Sequence, residues 1–193
     1  DPSTGEILTL VSTPGYDPSL LVGQDRKKNF PVLQLNPSLP LYNRALAASY
    51  PPGSTFKIVN ALIGQQENVI NNFTMFGCMQ GWTMGPIHVG CHIHPTPLNL
   101  LGSIQYSCNA YYCNVFRKII DNPKYPTVEE GYKAWRNYVT SFGLGQYLKT
   151  DIIDEGKGNV PSIKYYDRIY GRHHWRSLTV ISLAIGQGEL GVT

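Results

Sequence analysis

The segment Tyr50–Gly64, Tyr-Pro-Pro-Gly-Ser-Thr-Phe-Lys-Ile-Val-Asn-Ala-Leu-Ile-Gly, constrains this 193-residue chain more than any other. Pro51, Pro52 and Gly53 make a stiff elbow that is not itself helical. The run from Ser54 to Ile63 is mostly apolar and free of glycine and proline. Phe56, Ile58, Val59, Ala61, Leu62 and Ile63 point in nearly every direction round a helix, which predicts a helix buried on all sides. Lys57 stands on its first turn, and a lysine is rarely buried without a partner or a task. Ser54 and Lys57 are three apart and share one helical face. A serine opening a helix lies where free N–H groups and the dipole favour developing negative charge. A desolvated lysine beside it has its charged form disfavoured and acts as a neutral amine. The pair reads in two ways: as a nucleophile with an adjacent base, or as an N-cap serine whose neighbouring lysine reaches solvent.

The remaining chain frames that segment. Hydrophobic residues make up 42% and charged residues 15%, which predicts a globular chain rather than a disordered one. A net charge of +3 with no basic run argues against a nucleic-acid partner. No stretch of about 18 apolar residues occurs, so neither a transmembrane helix nor a signal peptide is expected. Glu6–Ser12 alternates and is rich in β-formers, predicting a strand. Residues 19–49 read as loops, with Asn43 and Arg44 as loop hydrogen-bonding groups. Residues 71–97 form a polar, glycine-rich insert holding Cys78, His88, Cys91, His92 and His94. Thiolate and imidazole are what zinc prefers, and Cys78, Cys91 and His94 with His88 or His92 supply the four ligands of a closed site. A Cys78–Cys91 disulfide, or free structural residues, are the other readings of the same set.

Leu98–Ile104 and Ala110–Ile120 have helical spacing, broken by Tyr106-Ser107-Cys108-Asn109. Alone, this break reads as a helix–helix turn. Cys108 and Cys113 read as packing residues. Thr127-Val128-Glu129-Glu130 is a capping box, followed by a buried stripe of Tyr132, Trp135, Val139 and Phe142 that Gly143 closes. Residues 156–170 read as a surface segment. His173 and His174 are adjacent and do not share a face, which argues against a metal site there.

Pro-Pro-Gly-Ser54-Thr-Phe-Lys57 resembles the S-x-x-K motif of penicillin-binding proteins, and Ser107-Cys108-Asn109 resembles their S-x-N motif. "TGEILTLVSTPGYDP", "PLYNRA", "FGLG", "GNVPS" and "AIGQGELGVT" resemble class B members, most of all the penicillin-binding protein 2 branch. Thr150-Asp151-Ile152-Ile153-Asp154 departs from the family's Thr-Gly-Ile-Asp-Leu. The third motif, Lys-Thr/Ser-Gly, does not occur in the 193 residues. The resemblance implies one partial transpeptidase domain over 1–193. Residues 1–49 would be an opening strand and loops, and 50–193 mainly helical. The implied fold is α+β, the penicillin-binding-protein/serine β-lactamase-like fold, dominated by its helical subdomain.

The implied activity is D,D-transpeptidation of peptidoglycan stem peptides. In that reading Ser54 attacks the carbonyl and Lys57 accepts its proton. Ser107 relays a proton to the leaving amine, and Asn109 binds the substrate amide or orients Lys57. β-Lactams would acylate the same serine. No cofactor is required, and a structural zinc in the insert is the further implication, since some relatives carry one. The family's setting is the periplasmic side of the inner membrane, among membrane proteins of the elongation machinery. Two rivals stay open. A β-lactam hydrolase or sensor shares the Ser-Thr-Phe-Lys wording, whereas Ser-Cys-Asn, the elbow and "IGQG" point to penicillin-binding proteins. A non-catalytic binding fragment is favoured by the missing third motif.

Overall fold

The computed structural model describes residues 1, 3–148, 152 and 155–193. Its α-helices are α1 (Arg26–Gln34), α2 (Arg44–Ala47), α3 (Lys57–Gln66), α4 (Leu100–Gln105), α5 (Asn109–Ile120), α6 (Val128–Ser141) and α7 (Ile163–Tyr170). Strands β1 (Gly81–Met84) and β2 (Ile87–Gly90) form an antiparallel hairpin in the insert, with Gly81 opposite Gly90. No described helix is long and apolar enough to cross a membrane.

The core is built round α5. Eight of its twelve residues are buried, among them Tyr111, Tyr112, Val115, Phe116 and Ile119. Helices α3 and α6 and the 3₁₀ turn Ile181–Ile185 pack against it. Trp135 of α6 is the joint between them. Its ring meets Phe116 edge-on at 5.4 Å and Phe56 at 6.1 Å. Its indole N–H donates to Asn60 Oδ1 on α3 at 2.8 Å, and Asn60 Nδ2 donates to the carbonyls of Leu183 and Ala184. A buried amide with donors and acceptor satisfied fixes the rotation of α3 about its axis, because any turn would orphan polar atoms. That rotation decides which way Lys57 points.

The other end of α3 is held by a charge. Glu67 is buried and accepts from Lys124 Nζ at 2.6 Å and from the hydroxyls of Tyr125 and Tyr138. Burial disfavours its charge, yet the bonds from Lys124, Tyr138 and Tyr125 hold its carboxyl below the usual range.

Several expectations are corrected. Glu6–Ser12 is not a strand: Glu6–Val11 is exposed, no described segment pairs with the run in a sheet, and Ser12 is tied to Tyr42 and Arg44 through its side chain. Alternation gives a strand its two faces but not its partner, and no ladder forms without one. The strands lie instead in the insert. Residues 19–49 contain α1 and α2, and Pro31 sits inside α1. Asn43 caps α2 through Ala45 N–H, and the Arg44 guanidinium donates to the Ser38 and Leu39 carbonyls. The supposed surface segment carries α7, capped by Ser162 and anchored by the buried Tyr166. Helix α3 is not buried all round, since Ile58 and Leu62 are about half exposed. Phe142 is also exposed, on an apolar groove shared with Ile7, Leu10 and Leu46. Thr127 does cap α6, through Glu130 N–H. His173 pairs with Glu129 at 2.9 Å. The expected departure at Thr150, Asp151, Ile153 and Asp154 lies outside the described residues.

Candidate active site

The elbow at Pro52 turns through Gly53, whose φ of +60° lies in the left-handed region. A 3₁₀ turn, Gly53–Phe56, follows and runs directly into α3. Ser54 therefore sits inside a tight turn rather than capping an α-helix, and it is exposed. The chain's last described segment braces this turn. Gly53 N–H donates to Gly186 O at 2.8 Å, and Tyr50 and Val192 exchange both backbone bonds at 2.9 and 2.8 Å. Gly186 has φ +69°, and a Cβ there would overlap Gly53 O and come within 2.7 Å of Phe56 Cβ. Only glycine fits so close an approach in that conformation.

Lys57, one turn on, is 3% exposed. Its ammonium donates to Ser107 O at 2.6 Å, to Ser107 Oγ at 2.9 Å and to Asn109 Oδ1 at 2.5 Å. Its head also lies 5.9 Å from the Tyr112 ring centre. All three protons are thus placed in one loop. Burial pulls the Lys57 pKa below that of a free lysine. Ser107 holds a φ of +47°, which is uncommon for a residue with a side chain. Such a conformation costs about 1–3 kcal/mol and persists only where the surroundings over-determine it. Here Ser107 N–H bonds Ile104 O, Cys108 N–H bonds Ser103 O, and Asn109 opens α5. Asn109 Nδ2 donates to Gly90 O at 2.7 Å, fastening the loop to the end of β2.

Beneath the loop is a cluster of soft ligands. Cys78, Cys91, His94 and Cys108 each offer one atom, and these atoms lie within 4.8 Å of one another. All four cysteines of the chain are free, so Cys78 and Cys91 are not paired. A zinc with Zn–S of about 2.3 Å sets its ligands some 3.8 Å apart. A small contraction would close the cluster on such an ion, and three thiols with one imidazole are a donor set zinc favours. His88 is not part of it, because its ring bonds Thr83 Oγ1 at 2.8 Å on the hairpin. His92 stands aside, its ring 5.3 Å from that of His94. Burial pushes the Cys108 thiol up to about 12. Burial opposes the Cys91 thiolate too, but bonds from Asn109 N–H, His94 and Cys78 bring that thiol below its usual value.

The model of the penicillin binding protein transpeptidase domain matches residues 1–193. The chain belongs to that family. The peptidoglycan D,D-transpeptidase MrdA of Acinetobacter baumannii is 30% identical over 202 aligned residues, covering 100% of this chain and 28% of that protein. The chain thus spans little more than a quarter of the curated relatives it matches. The Pseudomonas aeruginosa PBP2 structure in complex with WCK 5153 superposes with a TM-score of 0.80 at 27% identity, over 100% of this chain and 42% of that one. Penicillin-binding protein A of Mycobacterium tuberculosis, seen as a ceftriaxone acyl-enzyme, gives 0.77 at 25% identity, over 100% and 40%.

Within this transpeptidase fold, Lys57, Ser107 and Asn109 meet in one hydrogen-bonded unit, and Ser54 lies on the turn that leads into Lys57. The insert residues Cys78, Cys91 and His94 also converge, whereas His88 does not. Cys108 corrects the sequence reading, which took it for core packing. It does pack, at 0% exposure, but its sulfur faces the insert. Its position between the two polar residues of the Ser-x-Asn motif masked it, and only the fold of the insert over α5 shows the fourth ligand. Asn60 and Gly186 were also passed over. An asparagine in an apolar helix was the available signal for the first, and Gly-x-Gly for the second.

Proposed function

We propose that the protein is a peptidoglycan D,D-transpeptidase in which Ser54 carries the acyl group. The observation that carries this reading is Lys57: buried, lowered in pKa, and bonded three times to Ser107 and Asn109 one turn from an exposed serine. Neutral Lys57 takes the Ser54 proton as Oγ adds to the carbonyl of a D-alanyl-D-alanine end. The C–N bond then breaks, and Ser107 Oγ, bonded to Lys57, passes the proton to the departing amine. An amine of a second stem peptide reverses these steps and frees Ser54. Asn109, already tied to Lys57 and Gly90, orients the lysine. β-Lactams enter by the first step and open instead of leaving. The setting proposed is the outer side of the inner membrane, with elongation-machinery membrane proteins as partners.

Incubating the protein at its full natural length with a penicillin should give one adduct by intact mass, on the peptide that contains Ser54. No adduct, or one on another residue, rejects the assignment.

A structural zinc at Cys78, Cys91, His94 and Cys108 is the second element of the proposal. Its support is the Cys₃His donor set gathered in one place. There the ion would cross-link the insert to the first turn of α5, with no part in proton transfer. Elemental analysis of protein purified without chelator should find about one zinc per chain. Metal-free protein with free thiols rejects it.

A further inference from the structure

The Ser107–Asn109 loop is held from two sides, by Lys57 and by the Cys/His cluster. Cys108 is the middle residue of the loop. Its sulfur accepts the Tyr111 N–H at 3.3 Å and so caps α5. The Asn109 N–H donates to Cys91 Sγ at 3.3 Å, while its side-chain N–H donates to the carbonyl of Gly90, the preceding residue. Both kinds of donor on Asn109 therefore go to the same two residues at the end of β2. Its acceptor, Oδ1, goes to Lys57. Cys91 Sγ is bonded in turn to His94 Nε2 at 3.5 Å. A short chain of contacts thus runs from the cluster sulfurs through Asn109 to the Lys57 amine.

We propose that the Cys78, Cys91, His94 and Cys108 cluster positions the Ser107–Asn109 loop and the Lys57 amine, so that metal loading of the cluster sets the rate at which Ser54 is acylated. The inference rests on the zinc reading above and adds a task to that site. Cys91 and Cys108 are positioning residues. A sulfur fixed by an ion, and fixed to three other ligands, keeps its accepted N–H groups in one place. Released from the ion, each sulfur is free to rotate about its Cα–Cβ bond, and the N–H groups of Asn109 and Tyr111 lose a defined acceptor. Ser107, in its left-handed conformation, is the residue with most to lose from a loosened loop.

The body of the protein does not depend on the cluster in the same way. Val115, Phe116 and Ile119 are fully buried on α5, against which α3, α6 and the 181–185 turn pack. The insert has its own anchors, including Trp82 Nε1 to Asn114 Oδ1 at 3.1 Å and the Phe76–Leu98 bridge. Loss of metal is thus a local event, confined to the cluster and residues 107–111.

The test uses the protein at its full natural length. Cys78→Ser removes a ligand that lies outside the loop and accepts none of its backbone N–H groups, and native protein stripped by a chelator and reloaded with zinc covers the case in which that variant fails to fold. Penicillin acylation is followed to saturation, which separates the limiting rate from half-saturation. Amide hydrogen exchange is read at residues 107–111 and, for comparison, at 115–119. Cobalt(II) is added as a spectroscopic stand-in, and Cys108→Ser, which keeps an oxygen acceptor for Tyr111, should weaken its thiolate absorption as three sulfurs become two. Metal loss should lower the limiting rate at least tenfold with half-saturation within threefold. Exchange at 109 and 111 should rise at least tenfold with little change at 115–119, and zinc should restore the native protein. Metal loss with limiting rate and loop exchange within twofold of native overturns the coupling and leaves the zinc reading standing. Native protein that binds neither zinc nor cobalt(II) overturns both.

Discussion

Replacing Lys57 by methionine should lower the acylation of Ser54 by a penicillin about 10²–10⁴-fold, the usual worth of a positioned general base, without lowering thermal stability at neutral pH. Methionine has nearly the length of lysine and no branch, so it fills the same buried position. What it lacks is the amine. The stability half of the expectation follows from the pKa. Burial holds the Lys57 pKa below that of a lysine in the unfolded chain. Between the two values the unfolded state binds the extra proton, so stability rises with pH there. Below the folded value the native state carries a buried ammonium at its full desolvation cost. Methionine removes that cost, which offsets the three lost hydrogen bonds, and the half-buried Ser107 and Asn109 can turn to water. Arginine is the informative contrast, since a guanidinium does not deprotonate and cannot serve as the base. In the native protein the limiting acylation rate should rise with pH and level off below the pH at which a free lysine would titrate. Acylation by the methionine variant within tenfold of native would remove Lys57 from the role of base.

The catalytic candidates were legible because their signals are local. Ser54 and Lys57 share a turn, and Ser107 and Asn109 share a loop, so spacing along the chain already places them. The structure adds the distance between the two sets, which no spacing gives: Lys57 crosses fifty residues of sequence to reach Ser107. The cluster shows the limit. Cys78, Cys91 and His94 stood out by type, but His88 and Cys108 could be told apart only after the hairpin had turned His88 toward Thr83 and the insert had folded over α5. Burial failed in the same manner. Periodicity says which residues share a face of α3 or α6, not which faces are covered, and Ile58, Leu62 and Phe142 lie on faces that the described chain leaves open. Helix α7 was missed although Ser162 and the buried Tyr166 carry the signs of a capped, amphipathic helix. The alternating Glu6–Ser12 was overread, because a strand is a property of a pair.

The elbow gives the last of the large effects. Gly186→Ala should destabilise the protein by about 2–5 kcal/mol and lower acylation of Ser54 by roughly a hundredfold. Two costs add. A side chain at φ +69° carries the left-handed penalty of about 1–2 kcal/mol. The new methyl also overlaps Gly53 O and crowds Phe56 Cβ, and overpacking against backbone costs about 1–3 kcal/mol more. The strain cannot be relieved on the Gly186 side alone, because its carbonyl accepts the Gly53 N–H and the next bridge, Tyr50–Val192, holds the same two segments in register. The relief must come from moving Gly53, and Ser54 moves with it. A misplacement of about 1 Å at a reacting atom is enough for a loss near a hundredfold. Gly85→Ala separates the two causes: its φ is +56°, with nothing within 4 Å of the added methyl, and it lies on the hairpin turn. That variant should show the conformational penalty alone, with acylation unchanged. Equal stability and equal acylation in the two variants would mean that the 186–192 segment does not brace the nucleophile, and that the elbow's prolines hold Ser54 unaided.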